Sequence, residues 1–366
     1  MDLEYQKDAP REIKTFDMDA ADPLDQLSEQ QAAQVVEIFN TPLAGHYNWD
    51  YRVQDGRIRK LYQLGKELNW NQELDINWER PRVDIDWLPE LSNLHGYAPY
   101  EDMSEARKEE FWRHGNAWTL SQFLHGEQGA LLVASQLASC APTLDAKLYA
   151  ASQTFDEARH VESFNRYLRE RTGMMYPINR HLKGILDRIL SDTRWDMKFI
   201  GMQIIIEGLA LSAFQTMREH SSDPVFKDMI HLIIRDEARH VTFGINYLEE
   251  FVQTLSQQEK EERAEFAYEA CVVSRERLIA TDVYDYFGWD VEQTRERVLA
   301  GELHSQFRGM LFARVIPNLK RIGLLTDKIR PRFEALGLLD YEDWPNDGDI
   351  DWVEMARPLV NPADAA

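Results

Sequence analysis

The sequence has few of the features that mark disulfide-stabilised or nucleic-acid-binding proteins. Its 366 residues include only two cysteines, Cys140 and Cys271, which stand far apart in apolar segments. This usage argues against a disulfide framework and indicates a reducing compartment. Basic residues are also scarce relative to acidic ones, because the formal net charge is −22. A chain without a basic face is a poor partner for phosphate, so a role in nucleic-acid binding is not expected.

Long apolar runs and strand patterns are missing as well. No stretch looks like a membrane span, which needs about 18 apolar residues, and the N-terminus lacks the charged-then-apolar pattern of a signal peptide. We therefore expect a cytoplasmic protein that does not cross a membrane. No segment alternates apolar and polar residues as a half-buried strand does, and proline is sparse between 105 and 310. The fold class predicted is all-α.

Helix-start and helix-stop residues divide the chain into three parts. Residues 1–103 form an N-terminal arm and a covering segment that carries Trp70, Trp78 and Trp87. Residues 104–255 form a core of long helices, and residues 256–366 add further helices and an acidic tail, packed on the same domain. Helices are predicted at 28–40, 56–68, 105–141, 144–171, 177–190, 194–220, 224–255 and 256–288, with two or three more between 290 and 337, the last broken by Pro331, and a loop from Leu338.

A five-residue sequence occurs twice in the core. Residues 156–160 and 236–240 both read Asp-Glu-Ala-Arg-His, and 80 residues separate the copies. Another glutamate, Glu127 or Glu207, stands 30 residues before the glutamate of each copy. This register indicates an internal repeat of two half-units, each with a lone-Glu helix followed by a Glu-x-x-His helix. A single Glu-x-x-His on a solvated face would mean little, but chance does not place all six residues in register.

The repeat places acids where core residues belong. Residues three apart share a helix face, and the neighbours on these faces are apolar. Burying isolated carboxylates costs several kcal/mol each, so four together require cations. Carboxylate oxygens with one imidazole per ion suit iron or manganese better than zinc or calcium, as in known di-iron bundles. The predicted metal ligands are Glu127, Glu157, His160, Glu207, Glu237 and His240.

The flanking charged residues of the repeat predict a second layer around the metals. A metal-bound imidazole usually donates its other N–H to a carboxylate, which fixes the ring. Asp156 and Asp236 precede the motif glutamates, and Arg159 and Arg239 precede the histidines. Surface salt bridges are the alternative, but identical placement in both halves favours the supporting role.

With these residues the chain resembles the ferritin-like carboxylate-bridged di-iron superfamily over about residues 105–250. It is most similar to the branch of bacterial multicomponent monooxygenases, acyl-carrier-protein desaturases, arylamine N-oxygenases and ribonucleotide reductase small subunits. The resemblance implies a ferritin-like four-helix bundle core with additional flanking helices. It also implies one iron at Glu127, Glu157 and His160, the other at Glu207, Glu237 and His240, bridges through Glu157 and Glu237, and braces from Asp236 to His160 and from Asp156 to His240.

Four positions depart from patterns within that branch. Phe164 stands where ribonucleotide reductase small subunits carry a radical tyrosine, which excludes such a radical there. Ala210 and Leu211 occupy the positions of a proton-managing threonine, with Ser212 one step further. Ile233 replaces the third histidine of N-oxygenases, and His231, two residues away, is expected to be structural.

The resemblance implies an enzyme that activates dioxygen with two iron ions, or a manganese and iron pair. It would oxidise an apolar aryl or alkyl substrate by hydroxylation, desaturation or N-oxygenation, with electrons from a reductase or ferredoxin, and a homodimer is implied. No catalytic residue is predicted beyond the metal ligands. Small and apolar residues on the ligand-bearing faces predict a substrate pocket, although close helix packing would explain them equally well: Ala130, Ala134, Phe164, Ala210, Leu211, Phe214 and Gly244.

Two other classes of function stay open at this point. The first is a ferritin-like protein that binds or oxidises iron without an organic substrate, and the second is a metal-braced structural protein. Tyr167 and Tyr247, each seven residues after a ligand histidine, are candidates for carrying electrons. Core tyrosines with bonded hydroxyls are the alternative for both.

Overall fold

The computed structural model describes residues 37, 39–41, 43–83, 94 and 96–350, without the side chains of 302–308 and 310. The chain forms two compact units, Met1–Asn40 and Thr41–Ala366. Only three residues of the first unit are described, and every described helix belongs to the second. The predicted helix at 28–40, Trp87 and the end of the tail lie wholly or largely outside the described residues.

All regular structure in the described part of the chain is helical, which confirms the all-α prediction. Two segments have π-helical geometry, Leu168–Thr172 and Ile200–Ile206, and two short 3-10 turns lie at Leu339–Tyr341 and Asp347–Asp349. In chain order the α-helices are α1 (Gly56–Glu67), α2 (Gln72–Asp75), α3 (Ala98–Glu101), α4 (Glu105–Cys140), α5 (Leu144–Tyr167), α6 (Arg180–Ser191), α7 (Trp195–Phe199), α8 (Glu207–His220), α9 (Pro224–Thr254), α10 (Gln257–Glu276), α11 (Thr281–Tyr286), α12 (Val291–Ala300), α13 (Glu302–Arg321) and α14 (Arg330–Ala335).

The long core helices begin where their capping residues predict. The side chains of Ser104, Thr143 and Asp223 accept hydrogen bonds from backbone N–H groups in the first turns of α4, α5 and α9. Pro224 follows Asp223 at the start of α9, where a missing N–H costs nothing. These caps satisfy donors that the helix itself leaves unpaired. They also fix the register of the ligand-bearing helices.

Four helical stretches build the core around the repeat. α4 packs along α5, and α8 packs against α9, while α7 and Ile200–Ile206 run without a break into α8. α1 lies across α5 and α9 and covers the junction between the two motif helices. The two half-units therefore face each other across one shared interior.

One core stretch is more apolar than the sequence expectation allowed. Trp195–His220 is long and apolar enough to cross a membrane, but every residue of its most apolar window is buried in the bundle. The expectation that no stretch has the composition of a span was therefore wrong. Burial on all sides accounts for these residues, because a helix enclosed by others needs no polar face.

The C-terminal helices differ from their predicted limits. The helix from Ser256 has both bonds of the predicted capping box, but it ends at Glu276 and not near Gly288. The following residues turn so that Val283 and Tyr284 pack into an aromatic cluster with Phe111. Pro331 lies in the first turn of α14 and therefore starts that helix instead of breaking it.

Candidate metal centre

All six predicted ligands lie inside the bundle. Glu127 comes from α4, Glu157 and His160 come from α5, and Glu207 is the first residue of α8. The remaining two, Glu237 and His240, come from α9. Each of the six side chains is no more than 5% exposed.

The first group of ligand atoms surrounds His160. Its Nδ1 lies 3.2 Å from a carboxylate oxygen of Glu127, of Glu157 and of Glu237. One ligand atom from each of these four residues falls within 4.8 Å of the others. This spacing is what several ligands around a single ion produce.

The second group surrounds His240 and shares a member with the first. One ligand atom each from Glu157, Glu207 and His240 falls within 4.8 Å of the others. Nδ1 of His240 lies 3.1 Å from Glu157 and 3.8 Å from Glu237. Glu157 therefore stands between the two groups, and Glu237 lies closer to His160 than to His240.

Several of these buried atoms have no hydrogen-bonding partner within the described residues. They include both carboxylate oxygens of Glu237, Oε2 of Glu157 and of Glu207, and Nδ1 of His240. Leaving a buried acceptor unsatisfied costs about 1–3 kcal/mol, so a cluster of them in one place needs an explanation. Cations at the two points where the lone pairs converge provide one, and the donor set fits hard or borderline metal ions.

The electrostatics of the metal-free site lead to the same conclusion. Burial and the charge of Glu237 raise the pKa of Glu127 well above its ordinary value. Burial also raises the pKa of Glu207, and neighbouring glutamates add to the effect. Although burial opposes it, the charge of His240 lowers the pKa of Glu157. The four carboxylates therefore do not all ionise together unless positive charge is added to the site.

Each histidine is held from the opposite motif. Nε2 of His160 lies 3.2 Å from Asp236 Oδ2, and Nε2 of His240 lies 3.2 Å from Asp156 Oδ2. This is the crossed pairing that the resemblance implies. It leaves the Nδ1 atoms of both rings facing the carboxylates, because each Nε2 is directed at an aspartate.

The two motif arginines complete this layer. Arg159 forms ion pairs with Asp156 and, at 3.1 Å, with Asp236. Arg239 pairs with both aspartates as well and is fully buried. The Arg239 charge, acting against burial, keeps the pKa of Asp236 well below its ordinary value. The aspartates and arginines therefore form one buried network and are not surface partners.

Trp70, which the sequence analysis placed in the covering segment, is a further contributor. Its Nε1 donates to Oδ2 of Asp236 at 2.7 Å, and its ring stacks on His160 with centroids 6.2 Å apart. The guanidinium of Arg159 lies 4.8 Å from the ring centroid. No local pattern could have revealed this contact, because 166 residues separate Trp70 from Asp236.

Gln153 is a second contributor that sequence reasoning did not single out. Its Nε2 donates to Glu157 Oε1 at 3.1 Å and to Glu207 Oε1 at 2.8 Å. A signal was present, because Gln153 stands one helical turn before Glu157 on the same face. An uncharged amide does not stand out in the sequence beside a repeated motif of charged residues.

The residues of the predicted substrate pocket are all buried. Phe164, Phe214 and Phe123 pack together, with ring centroids 4.7 to 6.1 Å apart. A Cβ on Gly244 would lie 2.6 Å from the Cβ of Gln203, so this glycine serves close helix packing. The side chains of Ala130, Ala134, Ala210 and Leu211 are at most 9% exposed. Surface pockets of about 310 Å³ beside Glu265 and about 30 Å³ beside Arg171 include none of the predicted pocket residues.

The remaining residues singled out in the sequence have ordinary surroundings. Tyr167 donates to Asp223 Oδ2 at 2.7 Å, and the hydroxyl of Tyr247 lies 3.0 Å from Thr143 Oγ1. These are the bonded hydroxyls expected of core tyrosines. Ile233 is fully buried, and His231 is half-buried.

The chain matches one protein-family model and, more distantly, several solved structures. The family model described as p-aminobenzoate N-oxygenase AurF matches residues 52–323. Among solved structures, an R2-like ligand-binding oxidase with an aerobically reconstituted metal cofactor after photoconversion is 19% identical, covers 75% of this chain and 94% of its own, and has a TM-score of 0.48. A variant of the R2-like ligand-binding oxidase with an anaerobically reconstituted Mn/Fe cofactor is 20% identical, covers 72% and 94%, and has a TM-score of 0.44.

No curated protein matches the chain. The enzyme class that the resemblance implied, a di-iron oxidoreductase, is confirmed. The family match spans well over half of the sequence and includes all six predicted ligands. The chain therefore belongs to the family of p-aminobenzoate N-oxygenase AurF.

Proposed function

We propose that the chain binds two iron ions at Glu127, Glu157, His160, Glu207, Glu237 and His240 and oxidises an aromatic substrate with dioxygen. The observation that carries the proposal is the pair of buried ligand groups with unpartnered oxygen and nitrogen atoms. A manganese and iron pair would satisfy the same donors. The bound metals would supply the oxidative chemistry, as cofactors do in general.

The chain's own residues perform the positioning. Asp236 and Asp156 direct the Nδ1 atoms of His160 and His240 towards the ligand carboxylates. Arg159 and Arg239 together offset the two aspartate charges, so the histidines keep carboxylate acceptors without adding net charge to the interior. Burial of all six ligands excludes bulk water, which strengthens these interactions.

An aromatic wall supports an apolar, ring-containing substrate. Phe164 follows His160 by one helical turn, and its ring packs against Phe123 of α4 and Phe214 of α8. These side chains offer ring faces and no hydrogen-bond donors, so they favour apolar contact over recognition of a charged group. A ring near Phe164 would lie close to the His160 side of the centre.

N-oxygenation of an arylamine is the reaction that the family favours. The family model carries p-aminobenzoate N-oxygenase in its description, and an arylamine suits the aromatic wall. Ile233 stands at the third-histidine position of N-oxygenases. The two ions here would therefore share six protein ligands, and each ion would have one imidazole ligand. Hydroxylation and desaturation are the other reactions such a centre supports, and an assay distinguishes them by product.

The proposal also covers the cellular location, the protein partner and the oligomeric state. Two free, buried cysteines are compatible with a cytoplasmic enzyme. Each turnover of an oxygenase needs electrons, so a reductase or ferredoxin is the expected protein partner, and we expect a homodimer. Neither a membrane nor a nucleic acid is an expected partner, since the net charge is −22.

The test combines metal loading with product analysis. The protein is loaded anaerobically with ferrous iron and reduced. It is then mixed with dioxygen and one of three candidate substrates: p-aminobenzoate, an arene or an alkyl chain. We expect two irons per chain and an oxidised aromatic product identified by mass spectrometry. Glu207→Ala should abolish the product, whereas Glu219→Ala, an exposed acid on the same helix, should not.

Two results would overturn the proposal. Iron bound at fewer than two equivalents by the unaltered chain would contradict the assigned centre. Two irons that oxidise without any product from the panel would favour a ferritin-like iron-oxidising protein without an organic substrate.

A further inference from the structure

Gln153 joins two ligand glutamates that come from different half-units. It is fully buried on α5, and its Nε2 donates to Glu157 at 3.1 Å and to Glu207 at 2.8 Å. Both acceptors belong to the group of ligands around His240. A side-chain amide that donates to two carboxylates fixes which of their oxygens remain free to face an ion.

A second amide supports the first. Gln203 lies in the π-helical segment Ile200–Ile206, which leads directly into Glu207. Its Nε2 donates to Gln153 Oε1 at 3.4 Å, and its Cβ and Cγ lie against Gly244 on α9. Short π-helical segments are frequent at functional sites because they redirect side chains. Here the segment directs an amide towards the interior just before a ligand.

The internal repeat shows that this amide pair exists on one side only. Positions 80 residues apart correspond between the two half-units. Gln153 corresponds to Ile233, Gln203 corresponds to Phe123, and Gly244 corresponds to Phe164. Two amides and a glycine therefore stand where the other half-unit has apolar residues, while the six ligands stay the same.

We propose that Gln153 is a positioning residue that holds Glu157 and Glu207 for the ion on the His240 side, with Gln203 holding Gln153. This inference rests on the proposed two-metal centre. Hydrogen bonds from an amide to an ionised carboxylate are stronger than those between neutral groups. They orient the two carboxyl groups before an ion arrives, and they strengthen once metal binding has ionised both.

The opposite side has no such support from Ile233 or Phe123. The two ions are therefore inequivalent: the ion on the His240 side lies against a fixed polar wall, and the ion on the His160 side lies towards the aromatic wall. Substrate would approach from the aromatic side. The amide side would stay closed to it, because Gln203 fills the space beside Gly244.

The test uses Gln153→Met, which keeps the length of the side chain and removes its hydrogen bonds. Full-length protein is titrated anaerobically with manganous ion, and bound metal per chain is measured together with the electron paramagnetic resonance spectrum. Loss of an outer-layer partner typically weakens metal binding about 10- to 100-fold. We expect this weaker binding for one ion only. At limiting manganous ion, the spectrum should therefore change from that of a coupled pair of ions to that of an isolated ion.

Two further variants make the result specific. Gln203→Met should weaken the binding of the same ion by a smaller factor. This variant serves as the test if Gln153→Met fails to fold. Gln136→Met is the matched control, because Gln136 is a buried glutamine on α4 with no hydrogen bond to a ligand. It should bind both ions as the unaltered chain does.

The outcomes separate this inference from the proposed function. An unaltered chain that binds fewer than two ions would contradict the proposed centre itself. An unaltered chain that binds two ions, with folded Gln153→Met and Gln203→Met that bind both with unchanged affinity and spectrum, would overturn the positioning role alone. Equal weakening of both ions would also overturn it, since a general structural defect has that effect.

Discussion

The two halves of the repeat carry the same ligands in different surroundings. Around His160 the neighbours are Trp70, which stacks on the ring, and Phe164 one helical turn further along. Around His240 a tyrosine, Tyr149, meets the ring edge-on with centroids 6.5 Å apart, and Gly244 takes the place of the phenylalanine. The requirements of the metals explain the shared residues. The differences are the basis of our proposal that one side of the centre receives a substrate and the other holds the ligands in place.

The largest effect on metal binding is expected from the ligand that both groups share. Among the described residues, Glu157 alone belongs to both ligand groups, so we expect Glu157→Ala to lose both ions. Glu127→Ala removes a member of one group and should leave one ion in place. Metal analysis of the two purified variants checks this difference. Retention of an ion by Glu157→Ala alongside complete loss in Glu127→Ala would reverse the assignment.

A smaller and one-sided effect is expected from Trp70→Phe. The change keeps a ring beside His160 but removes the N–H that bonds to Asp236 at 2.7 Å. We expect weaker binding of the ion on the His160 side, about 10-fold by analogy with other outer-layer partners. Isothermal titration with manganous ion measures the two affinities separately.

Trp78→Phe is the control for that experiment. It also removes a bonded indole N–H, but the acceptor is the backbone carbonyl of Gln72, away from the ligands. It should lower stability by about 1 kcal/mol and leave both metal affinities unchanged. If both tryptophan variants alter metal binding alike, Trp70 has no special link to the centre.

The packing on the closed side predicts a stability effect at Gly244. A Cβ there would lie 2.6 Å from the Cβ of Gln203, so Gly244→Ala should reduce the free energy of unfolding by about 1–3 kcal/mol. Gly184→Ala is the matched control, because no atom lies within 4 Å of its added Cβ. Removing that helical glycine should stabilise the chain by up to about 1 kcal/mol. Urea unfolding of both variants tests the contrast, and equal effects would argue against the tight contact.

The smallest expected effect is a pH dependence that both sides share. The pKa values of Glu127 and Glu207 are raised above 4.5, chiefly by burial. The pKa values of His160 and His240 are raised above 6.5 by nearby carboxylates, which outweigh the opposing effect of burial. Groups with raised pKa values stabilise the folded chain below their ordinary values, and this contribution disappears as the pH rises.

Metal binding should remove this dependence, because ions displace the protons. The difference in melting temperature between the metal-loaded and metal-free chain should therefore grow as the pH rises from about 5 to 8. Asp236 and Glu157 have lowered pKa values and act in the more acidic window instead. A difference that shrinks with rising pH would contradict the protonation states described for the metal-free site.

The repeat made the centre predictable because its chemistry is periodic. Glu157 and His160 share a helix face by spacing alone, and the second copy fixed the partner helix without any tertiary information. Caps such as Ser104 and Asp223 are equally local, and they gave helix starts to within a residue.

Contacts set by tertiary packing could not be read in this way. Trp70 reaches Asp236 across 166 residues, and nothing in its own neighbourhood distinguishes it from Trp78. The end of α10 was misplaced for a similar reason, because the packing of Tyr284 into an aromatic cluster depends on residues that are distant in the sequence. From the sequence, Gly244 suggests space for a substrate. The π-helical segment that brings Gln203 against this glycine cannot be predicted from helical periodicity.

Anomalous scattering at the iron absorption edge, from crystals of the iron-loaded chain, tests the two-metal centre most directly. We expect two peaks inside the bundle, one among Glu127, Glu237 and His160 and one between Glu207 and His240, with Glu157 between them. A single peak, no peak, or peaks at the surface would contradict the centre.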